Sequence, residues 1–457
     1  MPVSAGDLFT WHSRPGTFLR LQPPWETIQI LGQKGTFGDG YTLTMRVPVM
    51  GPVKGTWVAE VYGTEPGHRF RDRQLNGPFA YWDHTHTMTA DGPDRSILED
   101  RIEFRPPFGL PGKLFGTAVV RKRLAAMFTY RHAITASDVR RHAQFRDRPR
   151  LKIAITGSRG LVGTDLCLFL QGGGHELVRL VRGAVEPQAF QDGTTSTSWN
   201  PEAELDPKTL DGVDAVVHLA GENIGAGKWT DARRKTILES RTGPTRRLCE
   251  AMAKLDRKPK VLISASAVGI YGDRDDEELS DSASPGTGFL ADVCKAWEAA
   301  TEPAEQAGIR VVHLRIGVVL TPKGGALGKQ LPAFRAGTGA VLGSGKQWVS
   351  WITVHDLVGA IHHAIMTDSL QGAVNATAPL PETNRTFGRV LAQVLTRPYL
   401  FTLPAPLLRM MFGDIADAAL LGSMKVLPDK LCANGFVFDH AGLEEALRFL
   451  LGCRMPY

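Results

Sequence analysis

Residues 151–163 read Leu-Lys-Ile-Ala-Ile-Thr-Gly-Ser-Arg-Gly-Leu-Val-Gly and decide the fold of the chain. The apolar run 151–155 predicts a buried parallel strand, and an apolar helical pattern follows the third glycine. Gly157, Gly160 and Gly163 lie between them at intervals of three. Glycines at these places let the backbone turn tightly and let a pyrophosphate approach the free N–H groups of a helix N-terminus.

A second strand is predicted at Glu176–Val181, where a unit of strand, glycine turn, helix and strand requires one. This combination is far more specific than the glycines alone, and it predicts a dinucleotide site. The residues expected to contact the dinucleotide from the turn are Thr156, Gly157, Ser158, Arg159, Gly160, Leu161, Val162 and Gly163.

The end of the second predicted strand indicates which dinucleotide is bound. A site for NAD usually places Asp or Glu about 20 residues after the glycines, where the carboxylate holds the ribose hydroxyls. Residues 177–185 contain no acid, but they contain Arg179 and Arg182, and Arg159 lies inside the turn. Guanidinium groups pair with a 2′-phosphate, which a carboxylate would repel. We therefore expect NADP rather than NAD, bound by Arg159 and Arg182, while Arg179 is equally well explained as a surface charge.

Composition places the chain among ordinary globular proteins. Its 457 residues are enough for two or three domains, and it is 43% hydrophobic and 22% charged. No apolar stretch reaches the ~18 residues of a membrane span, and the N-terminus lacks a secretory signal pattern. Five scattered cysteines without a Cys-x-x-Cys pair argue against a disulfide framework or a zinc site. They favour the reducing cytoplasm as the location.

The formal charge of +6 is concentrated in one segment. Residues 121–152 carry ten Lys or Arg and two Asp, so the rest of the chain has a net charge of −2. Aromatic residues do not alternate with basic ones there, as they do in many nucleic-acid-binding segments. We interpret the segment as a solvated helix end and linker, and we expect no nucleic-acid partner.

The chain changes character near Pro149. Before it, β-prone segments separated by turns end in a helix from Val119 onward, which predicts an α+β domain over residues 1–147. After it, strands near 151, 176, 214, 260 and 310 alternate with helices, which predicts a doubly wound parallel sheet over residues 151–400. Residues 401–457 are predicted to form a small, mostly helical domain. The β-prone segments are Thr42–Met45, Gly55–Tyr62, Tyr81–Thr89 and Ser96–Phe104.

The turn Thr156–Gly163 and the segment His218–Asn223 resemble the extended short-chain dehydrogenase/reductase superfamily, which includes nucleotide-sugar epimerases and dehydratases. The resemblance implies a Rossmann fold in which Leu219, Ala220 and Gly221 line the cofactor. A closer resemblance is to a branch of epimerase family proteins with a small C-terminal domain. It covers about residues 151–450 and rests on Lys228-Trp-Thr, Ser264–Gly272, Gly345–Ile352 and the tail segments beginning at Leu403, Leu427 and Gly435.

The chain departs from this superfamily at the catalytic residues. In active relatives a Ser or Thr works with a Tyr-x-x-x-Lys pair, whose lysine holds the nicotinamide ribose and lowers the tyrosine pKa. The resemblance assigns the serine to Ser266 and the lysine to Lys295, but the tyrosine position, four residues earlier, holds Ala291. Since alanine cannot transfer a proton, Ser266 and Tyr271 are the expected substitutes. Arg241 stands where many relatives carry a structural asparagine.

Residues 1–147 resemble, in pattern rather than in any catalytic motif, the helix-grip superfamily of lipid-transfer and cyclase-like proteins. The resemblance rests on residues 96–112 and on Arg121–His132. It implies a sheet wrapped around a long helix, with a cavity for an apolar ligand. The segment Asp83-His84-Thr-His86 places two imidazoles on one strand face, but the sequence shows no further ligand cluster. We expect no metal and interpret these histidines as surface or cavity-lining residues.

Hypotheses from two classes of function fit these features. The leading one is an NADP-binding epimerase/dehydratase-like oxidoreductase or isomerase of an unknown small molecule. The alternative is a non-catalytic NADP-binding sensor or ligand-binding protein, which Ala291 favours. A nucleotide-sugar epimerase is third, because that reaction needs reversible proton transfer. We expect no membrane partner, and the substrate and oligomeric state stay open.

Overall fold

The computed structural model of the chain describes residues 1–50, 53–107, 109, 116–185 and 194–453. The chain divides into two compact units. Most of the first unit is residues 1–150, and most of the second is residues 195–457 together with 151–167 and 177–185. The domain boundaries expected at 147/151 and 400/401 stay predictions. None of the helices within the described ranges combines the length and apolar character that crossing a bilayer requires.

The first unit contains a six-stranded antiparallel sheet whose strands follow in chain order. Along the last strand, more buried residues alternate with exposed ones, as expected for a strand that packs one face against a core. The first and fourth strands were not predicted, because their sequences are rich in Gln, Arg and Asp rather than in β-branched residues. The strands are β1 Gln29–Lys34, β2 Thr42–Met50, β3 Val53–Glu65, β4 Arg69–Asn76, β5 Tyr81–Ala90 and β6 Ser96–Arg105.

Three helices complete the description of the first unit. They are α1 Ala5–Ser13, α2 Thr17–Arg20 and α3 Thr117–Ala143, and the 27 residues of α3 include the long helix predicted from Val119 onward. Arg20 of α2 and Asp138 of α3 form a buried pair with two contacts of 2.8 and 2.9 Å. Removing either partner would leave a buried charge, so this pair fixes α2 against α3.

A seven-stranded parallel sheet forms the centre of the second unit, in the order β9-β8-β7-β10-β11-β13-β18. The order of the strands reverses direction between β7 and β10. Ligands of doubly wound sheets bind at such a point, outside the carboxyl ends of the strands. The strands are β7 Lys152–Thr156, β8 Glu176–Val181, β9 Thr195–Ser198, β10 Ala215–His218, β11 Val261–Ala267, β13 Arg310–Ile316 and β18 Gly372–Ala376.

Short strands pair outside this sheet: β12 Glu278–Leu279 with β21 Lys425–Val426, β14 Val318–Leu320 with β17 Trp351–Thr353, β15 Ala340–Leu342 with β20 Phe401–Leu403, and β16 Trp348–Val349 with β19 Glu382–Thr383. The helices after residue 150 are α4 Leu161–Gly172, α5 Asp231–Ala253, α6 Phe289–Ala299, α7 Glu302–Gln306, α8 Gly325–Arg335, α9 Val354–Met366, α10 Asn384–Val394, α11 Ala405–Phe412, α12 Asp429–Ala433 and α13 Leu443–Leu451. Two 3₁₀ turns, Pro207–Leu210 and Val268–Tyr271, and a π-helical turn, Ala416–Leu421, complete the list.

The predicted fold class is confirmed for this unit. All five predicted strands are present, and the region after residue 403 is mostly helical. The sequence did not reveal β9 or β18. Residues 195–198 are Thr-Ser-Thr-Ser, and residues 372–376 are Gly-Ala-Val-Asn-Ala, so neither carries the apolar run of a central strand. Both lie at edges of the sheet, where burial demands less of a sequence.

A chain of buried hydrogen bonds ties the ends of β7 and β10 to α5. The Ala220 N–H donates to Thr156 Oγ1 (3.3 Å), and the Thr156 hydroxyl donates to His218 Nδ1 (2.7 Å). The His218 Nε2–H donates to Thr245 Oγ1 (2.9 Å), which also accepts the Trp297 indole N–H (3.0 Å). Because the Thr245 hydroxyl donates to the Arg241 carbonyl, it can only accept from His218, which assigns the neutral Nε2–H tautomer. Burial favours the same form and lowers the pKa of His218 to about 4.

We expect His218 to make the protein less stable as the pH falls below 6.5. The unfolded chain takes up a proton near pH 6.5, whereas folded His218 takes it up only near pH 4. Its contribution to stability is therefore fully present above pH 6.5 and is lost as the pH falls toward 4. The loss is on the order of 3 kcal/mol. Urea denaturation at several pH values across this window measures it.

The comparison with His218→Gln isolates this residue, because other buried histidines such as His12 titrate in the same direction. The variant should be less stable at pH 7 and should show a shallower loss of stability on acidification. An unchanged slope in His218→Gln would contradict the assignment.

Candidate active site

The glycine turn between β7 and α4 lies against the end of β10. Gly157 has a φ of +68°, and a Cβ there would lie 2.8 Å from the carbonyl carbon of Leu219. A Cβ on Gly163 would lie 2.2 Å from the Gly157 carbonyl oxygen, to which the Gly160 N–H donates at 2.9 Å. Side chains would force this turn open. The glycines therefore leave bare backbone where a pyrophosphate would approach.

Ser158 and the start of α4 offer hydrogen-bond donors at the turn. Ser158 is buried, and its hydroxyl has no hydrogen-bond partner among the residues that the structure describes. Leu161 and Val162 open α4, where the first N–H groups have no helical carbonyl to bind. These donors suit an anion. Thr156, in contrast, is fully buried with its hydroxyl on His218, so it supports the turn from behind.

Arg159 and Arg182 are exposed at the same edge of the sheet. Arg159 lies in the turn after β7, and Arg182 follows β8, the neighbouring strand. Neither guanidinium has a hydrogen bond or an ion pair within the part of the chain that the structure describes. Arg179 is half-buried within β8 and takes part in other interactions. The two exposed arginines are therefore available to a phosphate.

The segment Leu219–Gly221, predicted to line the cofactor, is held in place by Arg241 of α5. The Arg241 guanidinium donates to the Glu222 carbonyl (2.9 Å) and lies 5.0 Å from the centre of the Trp297 ring. A Cβ on Gly221 would lie 3.3 Å from the guanidinium carbon. Arg241 thus fixes the loop that follows β10 and leaves little room for a side chain at its centre.

Ser266, at the end of β11, belongs to a network that the sequence did not reveal. Its hydroxyl donates to Glu298 Oε1 (2.7 Å), and Glu298 forms a two-pronged pair with Arg315 at 2.9 Å on each side. The Arg315 and Glu298 side chains are only 7% and 13% exposed. Because these residues come from β11, α6 and β13, only the packed sheet brings them together. The serine hydroxyl is thereby in direct contact with a proton acceptor.

Tyr271 lies on the other side of Arg315 and is fully buried. Its hydroxyl donates to Asn375 Oδ1 (2.7 Å) and accepts from Arg315 Nη1 (3.0 Å). Burial raises the pKa of Tyr271, and the Arg315 guanidinium only partly offsets this. The structure therefore brings Tyr271 into the same network as Ser266. Its phenol is already hydrogen-bonded to other protein side chains.

Lys295 lies at the surface of α6, and its assignment to the nicotinamide ribose stays a prediction. Its ammonium pairs with Asp292 of the same helix at 2.7 Å, and its side chain is 43% exposed. Cys294 lies on the buried face of the same helix. Burial raises the pKa of the Cys294 thiol to about 11, so it is protonated at neutral pH. The buried face of α6 thus carries Ala291 and Cys294, whereas Lys295 is at its surface.

The helix α6 contains no tyrosine. Ala291, the position predicted from Lys295, is fully buried in the core. Four residues before Cys294 stands Leu290, which lies against Gly269, where an added Cβ would be 3.3 Å from the leucine Cβ. Neither Ala291 nor Leu290 can offer a phenol beside Ser266.

Comparison with known proteins agrees with the fold described for the second unit. Residues 153–376 match the model of the NAD dependent epimerase/dehydratase family, and residues 403–450 match a domain of unknown function, DUF1731. An epimerase family protein of Mycobacterium bovis is 43% identical over 298 residues, which are 65% of this chain and 96% of the relative. One of Bacillus subtilis is 35% identical over 305 residues, which are 66% of this chain and 99% of the relative.

Two solved structures extend the comparison. A nucleoside-diphosphate sugar epimerase from Corynebacterium glutamicum has a TM-score of 0.78 at 32% identity, covering 99% of this chain and 89% of its own. Human epimerase family protein SDR39U1, isoform 2, was solved with NADPH; it has a TM-score of 0.60 at 30% identity and covers 66% of this chain and 99% of its own. The chain belongs to the NAD-dependent epimerase/dehydratase family, as an epimerase family protein with a C-terminal DUF1731 domain.

Proposed function

We propose that the chain is an NADPH-binding oxidoreductase or isomerase of a small molecule. The observation that carries the proposal is the pair Arg159 and Arg182, which have no partner within the described ranges and lie where β7 and β8 end. A 2′-phosphate there gains two charge-assisted contacts and meets no carboxylate on residues 177–185. The NADPH bound to the human relative supports the same cofactor. NAD is the weaker alternative.

In this proposal the glycine turn binds the pyrophosphate of the cofactor. The Ser158 hydroxyl and the first N–H groups of α4 donate to it, and Arg241 keeps the segment Leu219–Gly221 in position. When bound, the nicotinamide supplies or accepts a hydride. The crevice between β7 and β10 orients the reactive end toward the end of β11, where Ser266 stands.

Ser266 is the residue that we propose for proton transfer at the substrate. Its hydroxyl can pass a proton to Glu298, with which it already forms a hydrogen bond. Tyr271 then has a positioning role, because its phenol holds one nitrogen of Arg315 while the other side of the guanidinium holds Glu298. Lys295, turned toward Asp292, has no part in this arrangement.

A second candidate is a non-catalytic NADPH-binding sensor. The observation that favours it is the apolar character of α6 beside Ser266, where Leu290 and Ala291 offer no proton donor. A nucleotide-sugar epimerase is the third candidate, supported by the name of the Corynebacterium relative. The epimerase reaction requires a proton transfer, and the tyrosine phenol that performs it in the superfamily is missing here.

For the first unit we propose a helix-grip ligand-binding module. The six-stranded antiparallel sheet and the 27 residues of α3 are the elements that such a module needs. The Corynebacterium structure, aligned over 99% of this chain, supports a two-unit arrangement in the family.

We expect NADPH to bind at least about tenfold more tightly than NADH, which corresponds to about 1.4 kcal/mol. Arg182→Ala removes one of two charge-assisted contacts, so it should weaken NADPH by about tenfold and leave NADH nearly unchanged. Titration calorimetry of the full chain with both cofactors measures the two affinities. Arg246→Ala, which removes the same charge from an exposed pair with Glu250, is the control and should change neither. Equal affinities of the wild type for the two cofactors would refute the role of the arginines.

A pair of variants tests the position of Lys295. Lys295→Ala should leave the affinity for NADPH unchanged, because the ammonium is engaged at the surface of α6. Ser158→Ala should weaken NADPH about fivefold, because a lost hydrogen bond costs about 1 kcal/mol. The same calorimetric titration compares them. A tenfold or larger loss in Lys295→Ala would instead support the superfamily assignment of this lysine to the ribose.

A turnover assay separates the candidate functions. Without a phenol beside Ser266, epimerisation of UDP-glucose should be about 10²–10⁴-fold slower than in a relative with a Tyr-x-x-x-Lys pair. A coupled assay with purified enzyme and added cofactor measures this rate. Rapid turnover of UDP-glucose would overturn the ranking and place a nucleotide-sugar epimerase first. Ser266→Ala would then show whether the serine carries the proton.

A further inference from the structure

Five ionisable side chains converge on one face of the sheet in the first unit. They are Asp72 of β4, His84 and His86 of β5, Asp100 of β6 and His132 of α3. The sequence showed only the two neighbouring imidazoles, and on that basis we expected no metal. The sheet and the helix add two carboxylates and a third imidazole to them.

The strand register explains this convergence. Asp72 lies directly opposite His84 across β4 and β5, and His86 lies directly opposite Asp100 across β5 and β6. Residues two apart on a strand share a face, so all four side chains lie on one side of the sheet. Asp83 points to the other side, where its carboxylate pairs with Arg71 at 2.8 Å.

Asp100 sets the tautomer of His84. The His84 Nε2–H donates to Asp100 Oδ1 at 2.9 Å, and His132 Nε2 lies 2.5 Å from the other oxygen. The other ring nitrogen of His84, Nδ1, lies 3.0 Å from Asp72 Oδ2. The same oxygen lies 3.3 Å from His86 Nε2. Asp72 Oδ2 thus lies within 3.3 Å of both imidazoles, a spacing that either a proton or a metal cation can bridge.

His86 lies between the same two carboxylates. Its Nδ1 is buried and lies 2.7 Å from Asp100 Oδ1, out of line for a hydrogen bond. Its Nε2 is the nitrogen that faces Asp72.

We propose that Asp72, His84 and His86 form a binding site for a divalent cation of the zinc type. One ligand atom from each residue lies within 4.8 Å of the other two, and the atoms that face one another are Asp72 Oδ2, His84 Nδ1 and His86 Nε2. Zinc bonds of about 2.0–2.2 Å in a tetrahedron place ligand atoms roughly 3.3 Å apart, close to the two contacts made by Asp72. Two imidazoles and one carboxylate leave a position for water or a small anionic ligand.

The surroundings of the cluster suit such a site. Asp100 is the outer carboxylate that orients a ligating imidazole, an arrangement common around metal-bound histidines. The His86 ring stacks on Phe70 at 4.1 Å, and the edge of Phe128 meets His84 at 5.3 Å. These rings pack against the imidazoles. A divalent cation also balances the charges of Asp72 and Asp100 in this apolar setting.

A second proton is the competing occupant of the same gap. Burial lowers the pKa of His84, but the carboxylates of Asp72 and Asp100 outweigh it and raise the pKa overall. The rings of His84 and His86 are 3.8 Å apart, so two imidazolium charges would repel each other strongly. Protonation can therefore charge one of the two histidines, whereas a divalent cation can bind one nitrogen of each.

Zinc titration of the full chain tests the proposal. Protein stripped with a chelator is titrated with ZnCl₂ against a chromophoric chelator, and bound metal is counted by mass spectrometry. We expect the wild type to bind zinc at this site and His86→Gln and Asp72→Asn to bind it at least about tenfold more weakly. Asp83→Asn, on the opposite face of the same strand, is the matched control and should bind as the wild type does.

A thermal readout covers variants that fold poorly. Zinc should raise the unfolding temperature of the wild type and of Asp83→Asn, because a ligand that binds only the folded state stabilises it. The rise should be reduced in His86→Gln even if that variant starts from a lower value. A wild type that binds no zinc, or His86→Gln that binds it with unchanged affinity, would overturn the proposal and leave protons as the occupants of the gap. The outcome does not depend on the cofactor proposed for the second unit.

Discussion

The close approach of the Gly157 backbone to the backbone of Leu219 is the contact on which the cofactor site depends. It brings the turn after β7 and the loop after β10 together with no side chain between them. Thr156 and His218 hold the two strand ends from behind through buried hydrogen bonds. Since a Cβ on Gly157 would lie less than 3 Å from this loop, any other residue there would separate the two backbones.

The positions of the two exposed arginines follow from that contact. Once β7 and β10 are fixed, the neighbouring strand β8 presents Arg182 at the same edge as Arg159. The buried pair of Glu298 and Arg315 stands beside Ser266. In the proposed function this pair takes the place of the tyrosine and lysine of the superfamily, while the glycine turn binds the dinucleotide.

Local features of the sequence predicted the fold well. The strand at 151–155, the glycine turn and the next strand are encoded by adjacent residues, so their pattern can be read directly. The position of Lys295 could not be read in this way. A helix gives every residue a face, but packing decides which face is buried, and here it buries Cys294 and leaves Lys295 at the surface.

The histidine cluster shows the same limit in a sheet. The spacing of His84 and His86 predicted a shared face, yet their partners Asp72 and Asp100 come from two other strands. Only the register of those strands makes them opposite neighbours, and register depends on turns and bulges along the whole meander. In the same way, the Ser266 network needs three elements that are distant in sequence.

A crystal structure of the full chain with NADPH tests the central claim most directly. The account predicts the 2′-phosphate between Arg159 and Arg182, the pyrophosphate on the glycine turn, and the nicotinamide near Ser266, with Lys295 still paired with Asp292. A ribose held by Lys295, or a 2′-phosphate that contacts neither arginine, would contradict it.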